Sequence, residues 1–231
     1  TDPRVCNKAR KLDKISYEEM LELASLGAKV LQTRSVELAT RYKVRLRVLS
    51  SFIKEFDEKK GTLVCSEGEI VENKVIAGVA FSRDEAKLTV TGIEDRPGIA
   101  ANIFGKLADQ SVNVDMIVQN VSENGLTDMT FSCPVDQVAR AKEALKKDAK
   151  KNILKYRQLL IDEEIAKVSI VGIGMKTHAG IAKMMFESLA KESINIIVIS
   201  TSEIKISVLI SRKYLELAVQ TLHDTFELEK V

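Results

Sequence analysis

The sequence has no tryptophan, and aromatic residues fill only 5% of its 231 positions. Any core must therefore be built from aliphatic side chains. No stretch approaches the ~20 consecutive apolar residues of a transmembrane helix, which argues against a membrane partner. The opening Thr1-Asp2-Pro3-Arg4 is polar and lacks the apolar core of a secretory leader. It also lacks an initiator Met, which suggests a fragment or a processed chain. Cysteine is scarce: Cys6, Cys65 and Cys133 are odd in number and far apart. They make no disulfide framework and no paired metal motif, and a reducing cytoplasm fits best. The two histidines, His178 and His223, have no companions at metal-ligand spacing. Both read as solvated, so no metal is expected.

What is present is an ordinary globular balance, 45% apolar and 29% charged, in a length that allows one large or two small domains. The net charge of +2 argues for no polyanion such as nucleic acid. Residues 1–60 nevertheless hold 14 Lys/Arg against 9 Asp/Glu, and the remainder 21 against 24. A basic first quarter can face phosphates or simply be solvated.

Ser16-Tyr17-Glu18-Glu19 has the spacing of a capping box. Met20, Leu21, Leu23 and Ala24 follow at helical spacing, and Gly27 is a natural stop. A second helix is expected from Ala28 to about Tyr42. Val44 to Val48 alternates apolar and basic, as a half-buried strand does. The charged stretch Lys54 to Gly61 reads as a loop near a domain boundary.

From about Val75 the texture changes to short β-branched strands alternating with helices, and an internal repeat emerges. Gly98 to Val114 aligns without gaps on Gly180 to Ile196, with 8 of 17 positions identical. The identities include Gly98/Gly180, Phe104/Phe186, Leu107/Leu189 and Asn113/Asn195. Each copy has one grammar. The first reads as strand Lys87–Thr91, a glycine-bearing loop, helix Gly98–Gln110, strands Val112–Val118 and Leu126–Cys133, a helix to about Lys147, and strand Ile153–Ile161. That is βαββαβ, a ferredoxin-like split βαβ unit. The second copy runs from strand Lys167–Val171 to helix Lys213–Phe226 without its fourth strand. The unassigned segment Val75 to Phe81 is expected to complete that sheet, since an unpaired edge is a liability. The first module is then inserted within the second. Phe104, Phe186 and the pair Met184-Met185 are expected in the core.

The segment Gly92-Ile93-Glu94-Asp95-Arg96-Pro97-Gly98, with Asn113-Val114-Asp115-Met116 and Gln119-Asn120 after its helix, resembles an ACT domain, a small-molecule regulatory module. The second copy, with Gly174 to Gly180 and Ser200 to Ser207, resembles the paired ACT domain of aspartate kinases. Residues Thr1–Arg4, Arg10–Met20 and Gly27–Leu31 resemble the C-terminal end of an amino-acid kinase domain, in the same order along the chain. The fold class this implies is α+β: two ferredoxin-like ACT modules, the first inserted within the second, preceded by an α/β remnant of an amino-acid kinase domain. The expected division is kinase remnant 1–65, linker and completing strand 66–85, first ACT module 86–163 and second ACT module 164–231.

The resemblance implies a parent enzyme that transfers the γ-phosphate of ATP, with Mg2+, to the side-chain carboxylate of aspartate. It implies no cofactor in this chain. The phosphate- and aspartate-binding segments of such kinases lie upstream of Thr1, so this chain alone is expected to be inactive and to hold no catalytic residue. Thr1, Asp2, Pro3, Arg4 and the helix-borne Lys29 correspond to nucleotide-site residues; a surface ion pair is the alternative for the two cations. The ACT pair implies lysine, threonine or both as feedback effectors. A glycine-bearing turn before a helix N-terminus suits a carboxylate, and acidic residues suit an ammonium group. The implied effector residues are Asp95, Arg96, Pro97, Gly98, Ile99, Ala100, Asn113, Val114, Asp115 and Gln119. From the second copy, whose loop lacks the Asp and Pro, they are Ile181, Ala182, Asn195, Ile196, Ser202 and Glu203. Ser122 and Thr130 are implied at a regulatory interface. The implied assembly is a homo-oligomer through ACT domains or a hetero-oligomer with a catalytic chain. A stand-alone regulatory subunit, or an ACT pair on another amino-acid enzyme, remain alternatives.

Overall fold

The computed structural model describes every residue except 29, 53–56, 58–59, 71–74, 122–124, 151–153 and 231, and the backbone alone over 147–150. It resolves into two compact units, one formed by residues 83–166 and the other by residues 1–82 together with 167–231. The first ACT module is thus an insertion in a unit that begins and ends elsewhere in the chain. Most of the charged stretch 54–61 lies outside the described residues.

The larger unit opens with strand β1 (Lys14–Ser16), helices α1 (Tyr17–Ser25) and α2 (Thr33–Tyr42), and strands β2 (Leu46–Val48) and β3 (Thr62–Cys65). β3 is central, parallel to β1 and antiparallel to β2. The capping box forms as its spacing requires. Ser16 Oγ accepts from Glu19 N at 3.1 Å, and Glu19 Oε2 accepts from Ser16 N at 3.2 Å. α2 starts at Thr33 rather than Ala28. Gly27, at φ +98°, turns the chain out of α1, and Ala28 N is held by Leu23 O at 3.0 Å. Ala28 is therefore spent on closing the first helix.

Strand β4 (Gly78–Glu94) and strand β7 (Gln158–Val171) are longer than expected. Val75–Phe81 and Lys87–Thr91 read as two strands, as did Ile153–Ile161 and Lys167–Val171. Each pair instead merges into one. The intervening Ser82-Arg83-Asp84-Glu85 and Asp162-Glu163-Glu164 are charged, but neither strand contains proline, and β4 has no glycine between Val79 and Thr91. Nothing breaks them. Residues 78–82 and 167–171 belong to the larger unit, 83–94 and 158–166 to the inserted one.

In the inserted unit, α3 (Ile99–Asp109), β5 (Ile117–Val121), β6 (Leu126–Pro134) and α4 (Val138–Lys150) complete the module, with strand order β5-β6-β4-β7. Alternate residues Ala86, Leu88 and Val90 of β4 point inward and pack with Ile103, Leu107, Met129, Phe131 and Leu145. The rings of Phe104 and Phe131 meet edge-on at 5.7 Å. Each fully buried aliphatic side chain contributes about 1.5–3 kcal/mol. β5 starts at Ile117, later than Val112. Asp115 N and Ser132 N instead make single backbone bonds to Ser132 O and Met116 O.

In the larger unit, α5 (Ile181–Lys191), β8 (Ile196–Thr201), β9 (Lys205–Ser211) and α6 (Leu215–Thr225) form the second module. Its sheet order is β4-β7-β9-β8, and Ala77 N donates to Val171 O at 2.8 Å. The upstream segment supplies the fourth strand, as the edge argument required. Ala80 and Val171 share one apolar cluster with Ile15, Met20, Leu23 and Val36, so the kinase remnant packs against this module. Two expectations change. His223 is buried, with Nδ1 2.8 Å from Thr1 Oγ1, because α6 lies under the N-terminal loop. Met185 is fully buried, but its neighbour Met184 is 43% exposed, one helical step off the core face.

The repeat is also conformational. α3 and α5 end identically: Val112 N and Ile194 N donate to Leu107 O and Leu189 O, both at 2.9 Å. Ser111 and Ser193 hold φ of 53° and 57°, a left-handed conformation that costs a non-glycine residue on the order of 1 kcal/mol. Ser111→Gly and Ser193→Gly are each expected to stabilise the chain by about 1 kcal/mol in urea unfolding. A loss of stability would show that the serine side chain outweighs the backbone strain.

Candidate functional site

The first module leaves the loop between β4 and α3 open. β4 ends at Glu94, and Asp95 N donates to Gly125 O at 2.9 Å. Gly98, at φ 88°, caps α3 without a side-chain bond. A Cβ there would meet nothing within 4 Å, so the backbone lies bare at the helix N-terminus. A concavity of about 460 Å3 is lined by Asp95, Arg96, Pro97, Gly98, Ile99, Ala100 and Gln119. It joins a carboxylate, the positive end of a helix and a side-chain amide. Ile99 N is already turned onto Arg96 O at 3.2 Å, which leaves the next amides of the first turn facing outward. Arg96 Nε lies 3.4 Å from Glu94 Oε2, both exposed.

Asn113, Val114 and Asp115 do not line this concavity. Asn113 N donates to Gln137 Oε1 at 2.7 Å, and Asp115 N to Ser132 O at 3.1 Å, which pins the segment to β6 and the turn after it. Gln137, buried at the start of the second helical segment, was not singled out from sequence, because a lone glutamine carries no local signal. Thr130 Oγ1 on β6 lies 2.9 Å from Thr89 Oγ1 on β4, half-buried. Ser122 lies outside the described residues.

The second module uses the same loop differently. Gly180 caps α5 at φ 93°, ahead of Ile181 and Ala182, and Asn195 precedes β8, which Ile196 opens. Ser202 N donates to Lys205 O at 2.8 Å in the turn that also carries the exposed Glu203. The loop itself is closed. Ile173 and Gly174 are buried in a short 3-10 turn, and a Cβ on Gly172 would sit 2.1 Å from Val75 O. Ile173 N donates to Glu19 Oε1 at 3.0 Å. His178 is exposed and stays local, its Nδ1 2.8 Å from Gly174 O.

A second cavity, about 550 Å3, lies within the larger unit. Its walls include Thr1, Asp2, Pro3 and Arg4, with Leu12, Ile15, Met20, Leu23 and Phe81 as apolar floor and Arg10 and Lys11 at the rim. Arg4 forks onto Asp2, with Nη2–Oδ2 at 2.8 Å and Nε–Oδ1 at 3.1 Å. That hydrogen-bonded pairing holds the Asp2 carboxyl below its ordinary pKa. Arg10 donates to Glu229 O, and Lys11 to Asp13 and Gly61 O. Lys29 lies outside the described residues. Among the described residues, no group of three or more His, Cys, Asp or Glu side chains is placed to hold a metal ion.

Models of the ACT domain match residues 88–150 and 168–226, and a model of the amino acid kinase family matches residues 1–50. Fold and loops together define a tandem ACT regulatory region joined to the end of an amino acid kinase domain. The aspartate kinase of Pseudomonas fluorescens (strain SBW25) is 55% identical over 230 residues, 99% of this chain and 54% of that relative. In a crystal structure of aspartokinase alpha and beta subunits, one chain is 42% identical with a TM-score of 0.61, matching 66% of this chain and 99% of that one. Aspartokinase III of E. coli, solved with lysine and aspartate, is 26% identical with a TM-score of 0.75, over 97% of this chain and 48% of that one. The chain belongs to the aspartokinase family, and it spans about half the length of the curated relatives it matches.

The two loop geometries make opposite demands on glycine. Gly98→Ala, with open space at the new methyl, is expected to cost about 1 kcal/mol from its left-handed backbone alone. Gly172→Ala drives a methyl into the Val75 carbonyl and should cost about 3 kcal/mol or more. Urea unfolding of both variants checks this, and equal costs would contradict it.

Proposed function

We propose that this aspartokinase regulatory region, with its two ACT domains, binds lysine, threonine or both, and thereby restrains transfer of the ATP γ-phosphate, with Mg2+, to the side-chain carboxylate of aspartate in the parent enzyme. The observation that carries this is the concavity that joins Asp95, the α3 N-terminus and Gln119. An amino acid presents a carboxylate and an ammonium group a few ångströms apart. The carboxylate takes the outward amides of the first helical turn. The ammonium pairs with Asp95, and Gln119 hydrogen-bonds the remaining polar atom. The complex of E. coli aspartokinase III with lysine supports the effector class.

The cavity at Thr1–Arg4 is proposed as one wall of the nucleotide site. Its apolar floor suits a flat ring system and its cationic rim suits phosphates. ATP brings the phosphoryl group, while Arg4, Arg10 and Lys11 neutralise charge, with Lys29 as a further candidate cation. Cytoplasmic placement follows from the same reading. No helix among the described residues is long and apolar enough to cross a membrane.

We further propose assembly through the ACT modules into a homo-oligomer. A separate regulatory subunit paired with a catalytic chain is the second reading. It is favoured by the match of 66% of this chain to nearly the whole of one chain in the alpha and beta subunit structure.

Asp95→Ala removes one charge-assisted contact, worth roughly 1.5–3 kcal/mol, and should weaken lysine or threonine binding about tenfold or more. Thr130→Ala breaks the Thr89 hydroxyl pair and should loosen inhibition with little change in effector affinity. Isothermal titration with lysine, with threonine and with both checks the first, and inhibition curves of the full-length enzyme check the second. Unchanged affinity in an Asp95→Ala protein that melts like wild type would place the pocket elsewhere.

A further inference from the structure

Glu19 is buried, 4% exposed, and belongs to neither ligand-contacting surface. A carboxylate in that position is tolerated only when fully hydrogen-bonded. Its two oxygens serve two different parts of the unit. Oε2 accepts from Ser16 N and lies 3.0 Å from Ser16 Oγ, which anchors the start of α1. Oε1 accepts from Ile173 N at 3.0 Å, in the closed loop of the second ACT module. Met20, the next residue of α1, and Leu23, one turn further along, line the cavity at Thr1–Arg4. A single rigid side chain thus spans from a regulatory loop to the helix that forms the cavity wall. The loop has little slack of its own, because Gly172 and Gly174 press directly on Val75.

We infer that Glu19 is the positioning residue that couples the second module's closed loop, residues 172–177, to the nucleotide-side cavity. A shift of loop 172–177 either carries the start of α1 with it or breaks the Ile173–Glu19 bond. Breaking it leaves a buried carboxylate oxygen without its partner, so the joint arrangement has two discrete states rather than a continuum. The inference rests on the regulatory reading above for its effector, and on geometry alone for its mechanical part.

Three variants of the full-length enzyme test it. Ser16→Ala removes the cap hydroxyl and keeps the Ile173–Glu19 bond. Glu19→Gln keeps the size of the side chain, and Glu19→Ala removes both contacts. Effector affinity is measured by titration with lysine and threonine, without and with saturating ADP; the ratio of the two affinities is the coupling. The expected result is a ratio close to wild type in Ser16→Ala and in Glu19→Gln, whose amide oxygen still accepts from Ile173 N, and a ratio within about twofold of unity in Glu19→Ala. Retained coupling in Glu19→Ala, or equal loss in Ser16→Ala, overturns the inference. A wild-type enzyme that binds neither amino acid refutes the effector reading instead, and hydrogen exchange then judges Glu19. Exchange about tenfold faster at both 17–25 and 172–177 in Glu19→Ala, and at 17–25 alone in Ser16→Ala, supports it. Faster exchange confined to 17–25 in Glu19→Ala overturns it.

Discussion

Two strands, β4 and β7, each belong to two modules, and closure of the second module's sheet depends on that sharing. The second module's sheet needs residues 78–82 beside residues 167–171, and 84 residues lie between those segments. Closing so long a loop costs entropy before any contact repays it. The inserted module removes most of that cost. Within it β4 and β7 are already neighbours, so once it folds, its two ends emerge side by side. The second sheet then only continues two strands that are already paired. A lone second module would have to close the same gap with nothing to hold its ends.

The two modules also show how a duplicated frame supports two uses. Their helix starts, at Gly98 and Gly180, share φ to within 5°, and their helix ends share the same hydrogen bonds. The divergence that bears on the open concavity lies in the loop ahead of the first helix. Pro97 and Asp95 keep the first loop extended and charged, and its concavity stays open. The second loop buries Ile173 and Gly174 and gives up an amide to Glu19. An amide already bonded to a buried carboxylate cannot receive a ligand without displacing it. That is why the frame of the second copy predicts a site that its own loop has closed.

The repeat, the split βαβ grammar and the insertion were all legible in the sequence, because each rests on local signals: glycine at a left-handed cap, β-branched runs, and an edge that needs a partner. The residues of the open concavity were legible for the same reason. Six of its seven lining residues are consecutive, from Asp95 to Ala100. What did not show were features that depend on distance in sequence. Asn113, Val114 and Asp115 follow the helix at a spacing that suits a pocket, yet Gln137 and Ser132 hold their backbone away from it. His223 looked like a surface residue because α6 alone does not reveal that the N-terminal loop covers it. Strands β4 and β7 were cut at their charged middles, where composition resembles a loop although nothing breaks the backbone.

The capping box shows where the boundary falls. Ser16 and Glu19 stand three residues apart, and that spacing alone fixes one oxygen of the carboxylate. The other oxygen meets Ile173, 154 residues further on, and no local pattern announces it. The basic surplus of the first 60 residues behaves in the same way. Composition offered it as a phosphate-facing surface, but Arg4, Lys8, Lys11 and Arg45 each sit on a carboxylate of the chain itself. Exposed pairs of this kind contribute little to stability, about 0–1 kcal/mol each. Their significance is therefore not strength but ease of exchange. On the proposed nucleotide reading, a polyphosphate at the rim takes Arg4 from Asp2 at small cost, whereas Glu19 cannot be released without leaving a buried oxygen unpaired. The weak pairs suit a ligand that must come and go, and the buried one suits a connection that must hold.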